Sequence, residues 1–439
     1  MTPRLRTLGM LGLLTATLPV DLAVTGVALA RTGLGRREAP PSTGRTVLVS
    51  GAKMTKALAL ARAFHAAGHR VVLVETPRYR LTGHRFSCAV AAFHTVPDPT
   101  DEGYADALLR VVEDEGVDVY VPVCSPVASF HDAVAAERLA PFCEVVHAEV
   151  ATIEMLDDKE RFCTYAASLG LDAPEVHRVT DAEQVADFDF GAPGRAGRTY
   201  VLKSIPYDPV HRLDLTRLPL STREETLAFA RSKPISPETP WLLQEFVAGE
   251  EYCTHATARG GRVQVSCCCA SSASQLNYAQ VEKPEIEAWV RTFIAATGAT
   301  GQLSFDMIET PEGRVLPIEC NPRTHSAITL LHGHPGVAAG YLEDGAPEAR
   351  PTTATRPTYW VYQEVWRLLT QTRRPADVAA RWRVLAEGRD AIFDSRDPLP
   401  FLMVHHLHLP SLLLGALVRG TDWVKIDVNI GKLVEPGGD

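Results

Sequence analysis

The sequence lacks any sustained run of lysine and arginine, and its 53 acidic side chains outnumber 44 basic ones. The formal net charge of −9 leaves no positive field of the kind that attracts a phosphate backbone, which argues against a nucleic-acid partner. Glycine and proline number only 31 each among 439 residues, which excludes a collagen-like or wholly disordered chain. We therefore expect a globular protein of about three domains that acts on small molecules.

The nine cysteines show no regular spacing, and their odd number argues against a disulfide framework. Three of them, Cys267, Cys268 and Cys269, are consecutive. Successive residues of a strand point to opposite faces of the sheet, so these thiols cannot converge on one metal ion. The pattern predicts buried thiols in a reducing compartment, without a thiolate metal site.

A 23-residue apolar run from Leu8 to Ala30 is long enough to cross a bilayer as a helix. Pro19 and Asp21 interrupt it, and arginines flank both of its ends, so the charge pattern gives no orientation. We expect an uncleaved anchor and hence membrane association through residues 8–30. A cleaved signal peptide and a merely apolar arm are the alternatives, because Ala28-Leu29-Ala30 resembles a cleavage box.

Strands alternating with helices follow the Pro/Gly/Arg-rich linker Thr32–Gly44. Residue patterns predict strands and helices in the order Thr46–Ser50, Thr55–Ala67, Arg70–Glu75, Tyr104–Glu115 and Asp118–Val123. This alternation is typical of a parallel α/β sheet, so residues 45–150 are expected to form a Rossmann-like domain. No G-x-G-x-x-G follows the first strand, which gives little support for a dinucleotide site.

Charged residues mark two apolar strands farther along the chain. Lys203 lies inside the run Tyr200–Ile205, where a buried ammonium would need an anion such as phosphate. A lysine on an exposed face is the alternative. A second run, Trp241–Val247, is soon followed by Glu251, whose carboxylate would hold a sugar hydroxyl or be solvated.

Two alternating runs flank a Pro/Gly turn at residues 310–313 and predict a β-hairpin. Folding about Glu312 brings Asp306 nearly opposite Glu319, and Asn321 shares a face with Glu319 because the two are two positions apart. Facing carboxylates repel each other unless a hard divalent cation binds both. The three side chains predict a Mg²⁺ site, with an ordinary edge-strand pair as the alternative.

The order of these residues resembles that of the ATP-grasp superfamily over residues 46–345. The resemblance implies an α/β protein: a Rossmann-like domain, then an ATP-grasp fold with an α+β lid and a mixed-sheet domain. It implies ATP as cofactor, with Mg²⁺ or Mn²⁺. By position it implies that Lys159 and Lys203 contact the nucleotide phosphates, that Gln244, Glu245, Phe246 and Val247 form the strand that meets adenine, and that Glu251 contacts the ribose. It also implies that Asp306, Glu319 and Asn321 bind the metal and that Arg323 stabilises the phosphorylated intermediate.

One departure from that superfamily concerns the lid. Its glycine-rich phosphate loop is absent after Lys203, where the sequence reads Ser204-Ile205-Pro206-Tyr207-Asp208-Pro209. Within the superfamily, four segments resemble the mycosporine-glycine synthetases: Ser50–Ala57, Lys203–Asp208, Glu319–Ala327 and Ile430–Asp439. That resemblance implies joining of glycine to the cyclohexenone 4-deoxygadusol. Neither composition nor spacing shows these substrates.

The chemistry expected of such a site is activation of an oxygen by phosphorylation, followed by attack of an amine that expels phosphate. Lys159, Lys203 and the cation would neutralise the phosphates, and Arg323 would hold the intermediate. His325 would deprotonate the amine or hydrogen-bond the ring, with a structural histidine as the alternative. Two other functions stay open: a carboxylate–amine ligase that forms an amide or peptide bond, and a non-catalytic, membrane-tethered nucleotide-binding protein.

Residues 1–44 are predicted to form the apolar N-terminal segment and linker, and residues 45–150 the Rossmann-like domain. Residues 151–345 are predicted to form the ATP-grasp domain, with its lid at 175–247, and residues 346–439 a C-terminal extension. In the extension, Leu399–Leu417 is strongly apolar but contains His405, His406 and His408. These histidines and Pro410 disfavour a clean membrane span; we expect a core helix, with a membrane-surface helix pair as the alternative. ATP use favours a cytoplasmic catalytic domain, and the oligomeric state is not readable.

Overall fold

The chain begins with a 29-residue helix, α1 (Pro3–Arg31), in the computed structural model, which describes residues 3–33, 44–123, 125, 127–205, 214–271 and 277–436. This helix contains the whole predicted apolar run and extends through the arginines at both ends. Most of the predicted linker, residues 34–43, lies outside the described residues.

A five-stranded parallel sheet with strand order β3-β2-β1-β4-β5 follows. The strands are β1 (Thr46–Val49), β2 (Arg70–Glu75), β3 (Ala92–Thr95), β4 (Val119–Val121) and β5 (Glu144–Val145), and the helices are α2 (Thr55–Ala66), α3 (Tyr104–Glu115) and α4 (Ala128–Leu139). The predicted elements are confirmed to within two residues at each end. β4 stops early because Pro122 has no amide hydrogen to donate to the ladder.

Helices α5 (Val150–Asp157) and α6 (Lys159–Ser168) meet at Asp158. Asp158 has extended backbone angles, and its carboxylate accepts hydrogen bonds from the amides of Glu160 and Arg161. A capping carboxylate of this kind satisfies amides that the first turn of a helix leaves free. The break therefore puts Lys159 at the start of α6.

A three-stranded antiparallel sheet, of order β6-β8-β7, occupies the range predicted for the lid. Its elements are β6 (Val176–Val179), α7 (Ala182–Ala186), β7 (Tyr200–Ser204), α8 (Arg223–Arg231) and β8 (Trp241–Glu245). Buried Tyr200, Trp241 and Leu243 belong to a core of its own. The adenine strand predicted to reach Val247 ends two residues earlier.

A four-stranded antiparallel sheet of order β10-β9-β12-β13 carries the predicted hairpin. Its strands are β9 (Glu250–Arg259), β10 (Arg262–Ala270), β12 (Gly301–Glu309) and β13 (Val315–Asn321); β11 (Asn277–Tyr278) and α9 (Pro284–Thr297) lie between β10 and β12 in the sequence. Trp289 and Phe293 stack at 5.2 Å and pack with Phe162 and Phe305, which fixes α6 and α9 against this sheet. The large aromatic surface supplies much of the burial that stabilises it.

The remaining elements form the C-terminal part of the chain. They are α10 (Val337–Leu342), β14 (Thr358–Tyr359), α11 (Val361–Thr370), α12 (Pro375–Glu387), β15 (Arg389–Asp390), α13 (Leu399–Met403), α14 (Leu409–Arg419), β16 (Lys425–Asp427) and β17 (Lys432–Val434). Helices α13 and α14 are joined by a π-helical turn, Val404–His408. Buried Val404, Leu409 and Leu413 confirm the core-helix interpretation of this apolar run.

Three hydrogen bonds fasten the Rossmann-like domain to the end of the hairpin. Lys56 Nζ donates to the carbonyl of Thr324 at 2.6 Å, and Ser129 Oγ donates to the carbonyl of Pro322 at 2.9 Å. Gln302 Nε2, on β12, donates to the carbonyl of Pro122 at 2.7 Å. The end of β13 and the segment after it are thereby held against the carboxyl edge of the parallel sheet.

Candidate functional site

The hairpin formed by β12 and β13 brings three polar side chains together as the sequence predicts. Asp306 and Glu319 are direct partners in the antiparallel register, with a register shift immediately after Asp306. The amide of Asn321 donates from Nδ2 to Asp306 Oδ2 at 3.2 Å and to Glu319 Oε1 at 3.4 Å. The predicted hairpin and its pairing are confirmed, whereas the metal role of these residues stays a prediction.

The two carboxylates of this cluster have opposite electrostatic tendencies. Burial and the neighbouring charge of Glu319 raise the pKa of Asp306 to about 7. Burial also opposes ionisation of Glu319, but Lys159, Arg323 and Lys203 outweigh it and hold the pKa of Glu319 below its ordinary value. One carboxylate is thus held ionised by cations while its partner retains a proton more readily.

Three cations surround the carboxylates. Lys159 Nζ lies 3.5 Å from Glu319 Oε2, a contact made by the first residue of α6. Burial lowers the pKa of Lys203, on β7, and the nearby charge of Glu319 opposes that lowering. Arg323 follows β13, and its charge favours ionisation of Glu319. The lid, helix α6 and the hairpin therefore each contribute one cation to the same site.

Asp157 is a site residue that sequence reasoning missed. Burial raises its pKa, while the charges of Arg323 and Lys159 oppose that rise. It is the last residue of α5, immediately before the helix break at Asp158. No residue pattern in the sequence indicated that its side chain lies near the cations.

The segment predicted to meet adenine divides between strand and loop. Gln244 is buried, and its Oε1 has no hydrogen-bond partner among the described residues. Glu245 Oε2 instead pairs with Arg198 at 3.0 Å, and Arg217 lies 4.2 Å over the ring of Phe246. The half-buried Val247 follows beyond the end of β8. Of these residues, Gln244 has the side-chain acceptor that a bound base could use.

Glu251, the predicted ribose contact, lies near the start of β9. It is exposed and pairs in register with Ile308 of β12, next to the hairpin. Its charge opposes the lowering of the pKa of Lys203, which puts the two side chains on the same side of the site. Gly249 just before it permits the approach of the strands, since a Cβ there would stand 2.2 Å from the carbonyl oxygen of Glu309.

His325 lies beside the cluster, with most of its ring committed to packing and capping. Its Nδ1 accepts a hydrogen bond from the amide of Ala327 at 3.2 Å, and its ring meets Tyr278 edge-on at 5.4 Å. Its backbone amide donates to Nδ1 of the buried His255 at 3.3 Å. When Nδ1 of a neutral imidazole accepts, Nε2 carries the proton. The ring therefore matches the predicted hydrogen-bonding role better than the predicted base.

The donor atoms fit the groups that the resemblance implies. Two carboxylates are hard oxygen ligands, the type that Mg²⁺ prefers. Asn321 turns its Nδ2 to both of them here, and a half-turn of its amide would bring its oxygen to a bound cation instead. Among the described residues no group of three or more His, Cys, Asp and Glu side chains is placed to hold a metal ion. At this site the third polar side chain is the amide of Asn321. The segment after Ile205, where the lid departs from the superfamily, lies at residues 206–213 and outside the described residues.

Comparisons with known proteins identify similar structures and no similar sequences. No protein-family model matches the chain, and no curated protein matches it. The β-γ-ATP complex of biotin carboxylase from Campylobacter jejuni shares 13% identity at a TM-score of 0.52, covering 70% of this chain and 72% of that one. The biotin carboxylase domain of a single-chain bacterial carboxylase shares 16% identity at a TM-score of 0.51, covering 67% and 66%.

A third similar structure is pyruvate carboxylase of Rhizobium etli, with 16% identity and a TM-score of 0.51. The match covers 69% of this chain and 30% of the longer carboxylase. Identities this low establish the arrangement of helices and strands and not the substrates. The chain has the ATP-grasp fold, preceded by a Rossmann-like domain and by an apolar N-terminal helix.

Proposed function

We propose that this protein is an ATP-dependent ligase that forms a carbon–nitrogen bond on a small molecule. The observation that carries the proposal is the meeting of Lys159, Asp306, Glu319 and Asn321 within hydrogen-bonding or ion-pairing distance, with Lys203 and Arg323 beside them. Cations suit the phosphates of a nucleotide, and oxygen ligands suit the Mg²⁺ that accompanies it. The ATP named in the Campylobacter jejuni structure supports the same cofactor.

In the first step the γ-phosphoryl group passes from ATP to an oxygen of the acceptor. The bond between phosphorus and the β-γ bridging oxygen breaks, the acceptor oxygen forms a new bond to phosphorus, and ADP leaves. Lys159 and Lys203 hold the phosphate oxygens, while bound Mg²⁺ would supply charge neutralisation. Positioning is most of the catalysis in such a transfer, so side chains from three separate elements suit it.

In the second step an amine attacks the carbon that carries the phosphorylated oxygen. The nitrogen lone pair forms the new bond, the carbon–oxygen bond breaks, phosphate leaves and the amine loses a proton to solvent or a nearby base. Arg323 stabilises the phosphorylated intermediate and the departing phosphate. His325 packs beside the site and accepts from the amide of Ala327, which holds the segment after β13.

Two acceptor classes fit this sequence of steps. An ordinary carboxylate would give an amide or peptide, and the fold alone supports that broader class. An enolic oxygen of 4-deoxygadusol, with glycine as the amine, would give mycosporine-glycine, which the four motif segments favour. Asn429, the residue just before the C-terminal segment of that resemblance, donates from Nδ2 to Ser326 Oγ at 2.7 Å.

The experiment that tests the proposal uses the full-length protein with ATP and Mg²⁺. One reaction receives 4-deoxygadusol and glycine, a second receives a panel of amino acids as both carboxylate and amine, and a third receives no acceptor. We expect ADP, phosphate and a condensed product in equal amounts in the first reaction. Product in the second alone would reject the mycosporine-glycine assignment and keep the ligase. ATP binding without ADP formation in all three would favour the non-catalytic alternative.

A further inference from the structure

The N-terminal helix α1 buries its polar side. Its most buried residues are three, four or seven positions apart, so they lie on one side of the helix and form a stripe along it: Thr7, Leu14, Asp21, Thr25 and Ala28. Three of these five residues are polar or charged. A surface helix of a globular protein normally buries its apolar stripe and shows its polar side to water.

Two residues of this stripe, Thr7 and Asp21, are bound to the C-terminal part of the chain. Trp423 Nε1 donates to Thr7 Oγ1 at 3.0 Å, and Arg6, which also pairs with Asp422, lies 4.2 Å over the Trp423 ring. Fifteen residues farther along α1, Asp21 Oδ2 accepts from the hydroxyl of Tyr362 at 2.6 Å and lies 2.8 Å from His406 Nε2. Polar contacts thus dock α1 on the protein at two well-separated points.

The opposite side of α1 is apolar and exposed. Val20 keeps 63% of its surface exposed, and the same side carries a series of leucines and valines: Leu5, Leu8, Leu13, Val24 and Val27. These side chains and Val20 are called here the apolar platform. No charged residue lies between Arg6 and Asp21 or between Asp21 and Arg31 in the sequence. Leaving so many apolar side chains in water is unfavourable, and their contiguity indicates a surface that something covers.

Neighbouring helices extend the apolar surface. In α14, which packs beside α1, Leu414 and Val418 are exposed, and Val418 keeps 86% of its surface. In α11, Trp366 and Leu369 share a face with Tyr362, because they follow it by four and seven residues. Since Tyr362 touches α1, this face begins at the border of the platform. Exposed tryptophan at such a border is typical of proteins that meet the boundary between lipid and water.

The charges around the platform complement an anionic surface. Exposed Arg4 and Arg31 lie at the two ends of α1, Arg419 ends α14, and Arg373 and Arg374 lie between α11 and α12. These five arginines are exposed on a chain that as a whole carries −9, and the acidic Asp422 and Asp377 lie in the same segments, paired with Arg6 and with the amide of Arg374. A two-fold contact between copies would bring equal charges together, whereas anionic headgroups would attract them.

The docking contacts also decide the orientation of α1. Residue 6 meets residue 422 and residue 21 meets residue 406, so α1 runs antiparallel to the helix pair α13–α14. That pair is packed on the Rossmann-like domain, where Val404 lies against Gly83. Two helical segments, Arg4–Arg31 and Leu399–Arg419, are long and apolar enough to cross a membrane. Crossing a bilayer would nevertheless require α1 to leave the contacts of Thr7 and Asp21 or the protein body to enter the lipid.

We infer that α1 lies in the plane of an anionic lipid surface, with the apolar platform inserted among the headgroups and its polar stripe docked on the protein. A helix of this kind attaches a protein to one leaflet without spanning it. At about 1.5 Å per residue, its 29 residues give a contact roughly 43 Å long. The proposal stands independently of the ligase activity, because no residue of the platform belongs to the candidate site.

The test is flotation of the full-length protein with vesicles of phosphatidylcholine alone and of phosphatidylcholine mixed with phosphatidylglycerol. We expect binding to the mixed vesicles and much weaker binding to the neutral ones. Val20→Glu should lower the binding by about tenfold or more, because a charge replaces an inserted apolar group. Val134→Glu, an exposed valine on α4 in the Rossmann-like domain, is the matched control and should bind as the parent does.

Both variants are first checked for parental ATP binding and circular dichroism, so that a folding defect is not counted as lost lipid binding. Absence of binding to either vesicle type overturns the proposal. The proposal is also overturned if the parent binds no vesicles and is a dimer by light scattering, while Val20→Glu is a monomer. The platform would then be covered by a second copy of the chain. Two further results together would show that α1 spans the membrane instead. The protein would stay in membranes after washing with alkaline carbonate, and residues 1–6 would be protected from a protease added on the side of the catalytic domain.

Discussion

Asp306 on β12 lies directly opposite Glu319 on β13, and the amide of Asn321 donates a hydrogen bond to each of the two carboxylates. Lys159 Nζ lies 3.5 Å from Glu319 Oε2. Two carboxylates held this close repel each other, and the amide and lysine offset only part of the repulsion. A divalent cation between them would remove the rest, which connects the geometry of the hairpin to the metal that we propose.

Replacing Glu319 by glutamine should weaken Mg²⁺ binding while preserving the fold. The change keeps the shape of the side chain and removes its negative charge. We expect at least about a tenfold loss of apparent Mg²⁺ affinity, with a parallel loss of turnover at limiting Mg²⁺. Glu312→Gln, in the exposed turn of the same hairpin, is the control and should leave both quantities unchanged. An unaltered Mg²⁺ dependence in Glu319→Gln would show an ordinary strand residue.

Lys203→Ala and Arg323→Ala should fail at different stages of the reaction. Removing Lys203 takes a cation from the phosphates, so ATP should bind more weakly in equilibrium titration. Removing Arg323 should leave ATP binding nearly intact and lower the product formed per ADP, because water attacks a poorly held intermediate.

Separate counting of ADP and product distinguishes the two effects. Arg314→Ala, an exposed arginine in the hairpin turn, serves as the control for arginine loss. Parental ATP affinity in Lys203→Ala would reject its assigned role. A normal rate and a normal product-to-ADP ratio in Arg323→Ala would do the same for that residue.

The register of the hairpin could be predicted because a strand has a period of two and a Pro/Gly turn fixes its centre. The place of Lys159 could be predicted only by resemblance, since its approach to Glu319 depends on the helix break at Asp158. Asp157 was missed for the same reason. The docking of α1 rests on pairs such as Asp21 and His406, which are 385 residues apart, and no local pattern reveals contacts of that kind.

Asp21→Ala should destabilise the protein, although Asp21 lies in an apolar segment that resembles a free anchor. The change removes the acceptor of the Tyr362 hydroxyl and the partner of His406. We expect a loss of about 1–3 kcal/mol in the free energy of unfolding, the usual cost of leaving buried polar groups unpaired. Urea unfolding of both proteins measures it. Equal midpoints and slopes would indicate that α1 does not dock on the protein.

The buried histidines predict a loss of stability in mild acid. Burial lowers the pKa of His405 to about 4, although a hydrogen bond to the carbonyl of Phe401 opposes the shift. The unfolded chain binds this proton below about pH 6.5 and the folded chain only near pH 4, so the free energy of unfolding falls as the pH drops between these values. Each such histidine contributes roughly 1.4 kcal/mol per pH unit in that window.

His405→Gln should therefore flatten the pH dependence of unfolding between pH 6.5 and pH 4, whatever its effect on stability at pH 7. Urea unfolding at several pH values gives the slope for the parent and the variant. A variant slope as steep as that of the parent would mean that His405 does not bind its proton differently in the two states.

Transfer of oxygen from the acceptor to phosphate tests the ligase mechanism most directly. The full-length protein is given ATP, Mg²⁺, glycine and 4-deoxygadusol labelled with ¹⁸O at both its enolic and its ketone oxygen, and the released phosphate is analysed by mass. A phosphorylated acceptor leaves its oxygen in the phosphate, so we predict one ¹⁸O atom per phosphate and one molecule of product per ADP. Unlabelled phosphate formed together with product would contradict activation of the acceptor, and with it the function proposed for this site.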